Sequence, residues 1–220
     1  MSADRTDLRG FAHAHQDAAD LASRLVAAVE AARAGRPVVY PTETVYGVGS
    51  GLSESGVEAV RTAKVRADDK PLLTLVDGPE AVPDLEWTSE ARRLAEAFWP
   101  GALTLVLRDP LGSFPLGVRS PTGTVAVRHT PHPVAAALVR ALGAPLTSSS
   151  ANRPGEAPAT DSESAARFAD GLDGAHFLDV GTLPPASPST LVDCTVSPVR
   201  VLREGALPTD RLRCVLPEAR

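Results

Sequence analysis

Three cationic side chains lie close together between a helical pattern and an apolar run. Lys64, Arg66 and Lys70 belong to the segment KVRADDKPLLTL, in which the apolar run begins directly after Pro71. Cations gathered where two ordered elements meet can converge on a polyanion, and a triphosphate is the commonest polyanion that a soluble protein handles. The alternative is an ordinary helix end, because cations there also favour the helix dipole and are often simply solvated.

Five further segments combine apolar strands with polar or glycine residues. They are PTETVYGVG at 41–49, FWPGALTLVL at 98–107, TVAVRHTPHP at 124–133, SSSAN at 148–152 and STLVD at 189–193. With KVRADDKPL they resemble, in the same order, the motifs of the YrdC-like family of threonylcarbamoyl-adenylate (TC-AMP) synthases: PT[DE]TVYGLG, KxR…[KN]PL, FWPGPLTLVL, VAVRxPxHP, PSAN and STVVD. The resemblance covers about residues 37–205 and is to the single-domain form of the family.

The chain departs from the family pattern at a few positions. Leu75 stands where a His is common, KVRA replaces the usual KGRP, and Ser149 replaces the proline of PSAN. These departures concern details of substrate contact rather than the class of protein.

The resemblance implies that L-threonine, bicarbonate and ATP combine into threonylcarbamoyl-AMP and pyrophosphate. The threonine amine captures carbon dioxide as a carbamate, and a carbamate oxygen then attacks the α-phosphate. This chemistry requires positioning and charge stabilisation, with Mg²⁺ accompanying the ATP and a dry pocket around the product, rather than a protein nucleophile. A separate tRNA threonylcarbamoyltransferase would then transfer the group to tRNA, forming N6-threonylcarbamoyladenosine.

The same resemblance assigns residues to the two halves of such a site. The catalytic cations would be Lys64 and Arg66, and the residues that bind ATP would be Arg66, Lys70, Thr124, Ser150, Asn152 and Arg203. The residues that bind threonine would be Thr44, Arg128, Ser148 and Ser189. Among them, Arg128 suits a bidentate contact with the substrate carboxylate. No metal ligand is predicted within the protein.

Each of these residues also has a simpler interpretation. Arg128 can be a strand-end arginine paired with a surface carboxylate, Thr44 a β-branched strand residue, and SSSAN an ordinary polar turn. His129 and His132, beside two prolines, are interpreted as turn and capping residues because no third metal ligand lies at a suitable spacing.

Composition restricts the function classes. The 220-residue chain has a formal net charge of -5, which disfavours an RNA-binding module of the same fold without synthase activity, although a local contact with tRNA remains open. A sugar-phosphate enzyme of a related fold would need clustered acidic ligands, which the motifs lack.

No apolar run is long enough for a signal peptide or membrane span, so we expect a cytoplasmic protein in which Cys194 and Cys214 are reduced thiols.

The order of patterns predicts a mixed α/β fold, and the resemblance makes it a twisted open sheet flanked by helices around a large concave cavity. We expect a mobile extension over 1–16, a catalytic domain over 17–205 and a short tail over 206–220. Helices are predicted over 17–33, 55–64, from Thr88 or Ser89 to Phe98, after Pro133, and from Asp161. Strands are predicted over 38–40, 72–76, 103–107, 125–128 and 144–147, and near Phe177, Leu191 and Val201, with 103–107 covered on both faces.

Overall fold

The computed structural model describes residues 8–65 and 70–219, with side chains from Asp20 onward. In this part of the chain the helices are α1 Leu8–Arg33, α2 Glu54–Ala63, α3 Ser89–Phe98, α4 Pro133–Leu142, α5 Ser162–Asp170 and α6 Thr209–Val215, with one turn of 3₁₀ helix at Pro79–Ala81. The strands are β1 Val38–Pro41, β2 Tyr46–Gly49, β3 Leu73–Leu75, β4 Leu103–Arg108, β5 Thr124–Arg128, β6 Leu146–Ser150, β7 His176–Phe177, β8 Thr190–Asp193 and β9 Arg200–Arg203.

The strands form one mixed sheet of nine in the order β7-β1-β2-β6-β3-β5-β4-β8-β9. The pairs β1 with β7, β3 with β5 and β4 with β8 are parallel, and the remaining neighbours are antiparallel. This arrangement confirms the predicted mixed α/β sheet flanked by helices.

Apolar side chains cover the two faces of the sheet differently. On one face, α1 and α4 pack against β1, β3 and β6, and on the other α2, α3, α5 and α6 pack against the remaining core. In α4, Val134, Leu138 and Leu142 recur at helical spacing and are all buried. Each such side chain stabilises the fold by about 1.5 to 3 kcal/mol.

The face that α1 and α4 cover is left open over β5, β4 and β8, and at Leu73 of β3. Along β5, Val125 and Val127 are fully buried, whereas Thr124 and Ala126, on the opposite side of the strand, are only half-buried. The neighbouring strands repeat this alternation, and we call the half-buried residues together the open face: Leu73, Val106, Thr124, Ala126 and Leu191. The prediction that 103–107 is covered on both faces is therefore wrong at Val106, whose side chain lies on the open face and is only half-buried.

Some element boundaries also differ from the predictions. Helix α1 begins at Leu8, well before Asp17, since the Leu, Arg, Ala and Gln residues of its start favour a helix without a periodic apolar pattern. Strand β2 was not predicted, and α6 lies inside the predicted tail. Residues 1–7 lie outside the described part, so the mobility of the extension and the domain boundaries stay predictions.

Within the described residues, none of the helices is both long and apolar enough to cross a bilayer.

Candidate active site

Arg128 ends β5 at the edge of the open face. It lies beside Leu75 in the register of β3 and β5, and it is 5% exposed. Its Nη2 donates to Oε1 of Glu43, and its buried Nε has no hydrogen-bond partner among the described residues. Arg128 is therefore paired with a carboxylate, as its simpler interpretation stated. That carboxylate is not on the surface, however, because the side chain of Glu43 is only 21% exposed. Arg128 keeps an unused donor.

A tight turn between β1 and β2 presents Glu43. The hydroxyl of Thr42 accepts the backbone N–H groups of Thr44 and Val45 at 3.2 and 3.3 Å, and the hydroxyls of Thr42 and Thr44 lie 3.0 Å apart. The second carboxylate oxygen of Glu43, Oε2, accepts the hydroxyl of Thr130 at 2.7 Å. The turn folds back on itself, and both threonines are buried.

Close contact between β2 and β6 holds this turn against the sheet. A Cβ atom on Gly49 would lie 1.8 Å from the carbonyl oxygen of Thr147, so only glycine permits the two strands to approach this closely. The glycines of PTETVYGVG therefore serve strand packing.

The serines of SSSAN belong to strand β6, which runs to Ser150, so the interpretation of SSSAN as an ordinary polar turn is wrong for them. Ser148 is buried and pairs with Leu73 in register, and the phenol of Tyr40 donates to the carbonyl oxygen of the neighbouring Thr147 at 3.3 Å. Burial raises the pKa of the Tyr40 phenol far above its ordinary value, against the opposing effects of Ser148 and the Arg128 charge. Tyr40 thus remains a neutral phenol at physiological pH.

Lys64 holds the end of this strand in place. Its ammonium group donates to the carbonyl oxygen of Ser150 at 2.8 Å, and to the carbonyl oxygen and Oδ1 of Asn152 at 2.5 and 2.7 Å. Ser150 Oγ also donates to Asn152 Oδ1 at 2.5 Å, while Asn152 Nδ2 donates to the carbonyl of Glu156 at 2.8 Å. The structure therefore brings the predicted catalytic cation Lys64 together with Ser150 and Asn152, two residues predicted to bind ATP, and it gives Lys64 a positioning role there.

Ser189 and Arg203 meet at the other side of Arg128. Ser189 Oγ lies 2.8 Å from Thr104 Oγ1, with both side chains buried, and Arg203 donates to the carbonyl of Ser189 at 3.0 Å. Leu105 pairs with Val127, so extending the antiparallel register by one residue places Thr104 beside Arg128. Thr104 was missed from sequence, although it is the polar residue inside an apolar strand.

Thr124 lies at the opposite end of β5 from Arg128. Its hydroxyl is 2.8 Å from that of Ser120. Arg128 is four residue steps along the strand from Thr124, which corresponds to about 13 Å, and both side chains point to the same side of the sheet. The residue predicted for the nucleotide and the residue predicted for the threonine carboxylate thus lie at opposite ends of the open face.

The remaining predicted residues fall outside this description or at its edge. Arg66 lies outside the described residues, and Lys70 is exposed.

His132 precedes α4, and burial lowers its pKa, an effect that the nearby Glu43 charge opposes. Burial also lowers the pKa of His129, whose Nε2 is 3.6 Å from Asp77. Across the described ranges, no three Asp, Glu, His or Cys side chains are grouped so as to hold a metal ion.

Comparison with known proteins identifies the family. The family model described as "Telomere recombination", Sua5_yciO_yrdC, matches residues 30–205. The chain belongs to the Sua5/YciO/YrdC family. A Mycobacterium tuberculosis member, provisionally named a threonylcarbamoyl-AMP synthase, is 42% identical over 196 residues, which are 87% of this chain and 88% of that protein. The threonylcarbamoyl-AMP synthase of Bacillus subtilis is 33% identical over 84% of this chain, which spans 54% of that relative.

Solved structures of the family share the fold. Pyrococcus abyssi Sua5 complexed with L-threonine superposes with a TM-score of 0.84 and 34% identity, over 91% of this chain and 59% of that one. Escherichia coli YciO gives a TM-score of 0.74 and 25% identity over 87% and 93% of the two chains. The family resemblance predicted from the motifs is confirmed, and with it the YrdC-like sheet.

Proposed function

We propose that this chain is an L-threonylcarbamoyladenylate synthase, a nucleotidyltransferase that forms threonylcarbamoyl-AMP and pyrophosphate from L-threonine, bicarbonate and ATP. The observation that carries the proposal is the open face of the sheet, which has a buried arginine with an unused donor at one end and hydroxyl groups at the other. Relatives named for this activity match the chain over most of its length. The related Sua5 crystal structure contains L-threonine.

The threonine half of the site would form around Arg128. Its guanidinium offers a charge-assisted contact to the substrate carboxylate, and its buried Nε would gain the acceptor that it lacks. Thr44, Ser148 and Ser189 are buried polar residues assigned to the same half. Their hydroxyls would bond the remaining polar groups of threonine without adding charge.

The nucleotide half would extend along the open face towards Thr124. Ser150 and Asn152, fixed by Lys64, lie on the strand end next to this face, and Arg203 comes from β9. Arg66 and Lys70 would supply positive charge to the triphosphate. Cations placed where negative charge develops are the main source of rate enhancement in phosphoryl and nucleotidyl transfer.

Mg²⁺ would enter this site as the partner of ATP. The described residues offer no set of carboxylates for a resident metal ion. Magnesium commonly takes its ligands from substrate phosphates and water, with one or two carboxylates at most. Phosphate oxygens and water would therefore supply most of its ligands here. We assign no step of the reaction to a protein-bound metal.

The adenylate would serve tRNA modification. The threonylcarbamoyl group would pass to a separate tRNA threonylcarbamoyltransferase, which places both proteins in the cytoplasm beside tRNA. A direct contact between this chain and tRNA is not required by that scheme, and the acidic net charge gives it little electrostatic support.

The test is incubation of the purified protein with labelled bicarbonate, ATP and each amino acid in turn, followed by chromatography of the products. We expect pyrophosphate and a labelled adenylate only when threonine and bicarbonate are both present. Pyrophosphate formed equally well without threonine would reject the proposal. Tight RNA binding without any adenylate would support the RNA-binding alternative.

A further inference from the structure

The ion pair between Arg128 and Glu43 has a fixed geometry. Glu43 is held at both carboxylate oxygens, by Arg128 at Oε1 and by the hydroxyl of Thr130 at Oε2. Thr130 is 1% exposed, and its Oγ1 accepts the backbone N–H of His132 at the start of α4. Because these contacts anchor the carboxylate to two elements, Glu43 is a built part of the site rather than a mobile side chain that happens to meet Arg128.

The charges of this pair match those of a free amino acid. Arg128 and Glu43 together are electrically neutral, and an α-amino acid zwitterion is neutral as well, with its carboxylate and ammonium group on the same carbon. Binding the zwitterion across the pair therefore buries no net charge, whereas binding an anion there would leave one negative charge uncompensated. Arg128 has the spare donor for the ligand carboxylate, and Glu43 has further lone pairs for an ammonium group.

We propose that Glu43 binds the α-ammonium group of the substrate amino acid, so that Glu43 and Arg128 together recognise the zwitterion. This assignment rests on the proposed function and adds a specificity-determining residue to it. A ligand that retains the carboxylate but lacks the ammonium group is then rejected, because its negative charge faces Glu43 without compensation.

The test is a binding titration without nucleotide, which needs no turnover. L-threonine is compared with its hydroxy-acid analogue, in which a hydroxyl replaces the ammonium group. The proteins are the wild type, Glu43→Gln, and Glu163→Gln as the matched control, since Glu163 also pairs with an arginine, Arg167, but on the exposed surface. Melting curves report whether each variant is folded.

The wild type should bind threonine and discriminate strongly against the hydroxy acid. Glu43→Gln should weaken threonine binding by about tenfold or more, as expected for the loss of a charge-assisted hydrogen bond, and leave hydroxy-acid binding unchanged or stronger. Glu163→Gln should behave as wild type. If Glu43→Gln does not fold, Thr130→Val, which keeps both charges and removes one anchor of Glu43, should show a partial loss of discrimination.

Three results would overturn the assignment. Equal weakening of both ligands would mean that Glu43 only supports Arg128, and tighter threonine binding would mean that Glu43 competes with the substrate carboxylate. Unchanged discrimination in the folded variants would remove Glu43 from recognition altogether. If the wild type itself binds no threonine, the proposed function fails first, and that result is distinct from the other three.

Discussion

The ammonium group of Lys64 binds Asn152 twice, at the backbone carbonyl oxygen and at the side-chain Oδ1. These contacts join the end of α2 to the end of β6 across 88 positions of sequence. A cation that was interpreted from sequence as part of a phosphate clamp therefore has a structural task in this fold.

Replacing Lys64 tests that task. Lys64→Met should destabilise the fold by about 1.5 to 3 kcal/mol, because the carbonyl oxygens of Ser150 and Asn152 lose a charged donor. Lys70→Met, at an exposed position, should change the free energy of unfolding by no more than about 0.5 kcal/mol. Denaturant unfolding without ATP measures both. If the two variants were equally stable, the contacts of Lys64 would not stabilise the fold, and its role would be limited to ligand binding.

Reversing the charge at Arg66 or Lys70 tests the proposed contact with the triphosphate. Arg66→Glu and Lys70→Glu should each lower adenylate formation by at least about 10² to 10³, since one charge-stabilising contact is lost and repulsion replaces it. Steady-state assays are read beside melting curves, which should be close to wild type. Near-normal turnover in both variants would remove these two cations from the proposed site.

Arg128→Ala should affect threonine far more than ATP. Loss of the guanidinium should raise the KM for threonine by roughly 10-fold to 150-fold, which corresponds to about 1.5 to 3 kcal/mol. It should also lower the melting temperature, because Glu43 is left partly buried without its partner. Arg167→Ala, which removes an arginine from an exposed ion pair, is the control. An unchanged threonine KM in folded Arg128→Ala would refute the assigned role.

The stability of the protein should fall when His132 titrates. Burial lowers its pKa in the folded state, so below the ordinary histidine value of about 6.5 the unfolded chain binds a proton that the folded chain resists. The melting temperature should therefore decrease from about pH 7 towards pH 5, and it should decrease less in His132→Asn. Parallel curves for the wild type and the variant would show that other groups control this pH range.

The two free thiols should differ in reactivity. Cys194 is buried, and burial, with a smaller effect from Asp193, raises the pKa of its thiol to about 12, whereas Cys214 is exposed. Since the thiolate is the reactive form, iodoacetamide should modify the native protein once, at Cys214, and the denatured protein twice. Mass spectrometry of the adducts decides the matter, and rapid native modification of Cys194 would contradict the burial seen here.

Local patterns in the sequence predicted most of the helices and strands. Thr88 and Asp161 accept backbone N–H groups as N-caps, as their types and positions indicated. Strand β2 escaped prediction because its two glycines are poor strand formers, and its place depends on the close approach of Gly49 to β6.

The candidate site was only partly predictable for a related reason. Motifs named Arg128, Ser148 and Ser189, but the partner of Arg128 lies 85 positions away, and no local pattern reports a contact of that separation. In the motif PTETVYGVG, threonine binding was assigned to the neighbouring Thr44, and no role was assigned to Glu43. Whether each named residue contacts a substrate stays a prediction, since it depends on the ligand rather than on the fold.

The strand order of the sheet has a consequence for synthesis of the protein. Several contacts join early and late parts of the chain: β1 pairs with β7, and Lys64 bonds with Asn152. Thr104 bonds with Ser189, whose carbonyl oxygen accepts a hydrogen bond from Arg203. Because the ribosome releases the chain from its N-terminus, neither half of the site is complete until the residues through Arg203 have emerged. A nascent chain would hold exposed strand edges and no working pocket for most of its elongation, so activity would arise abruptly and late.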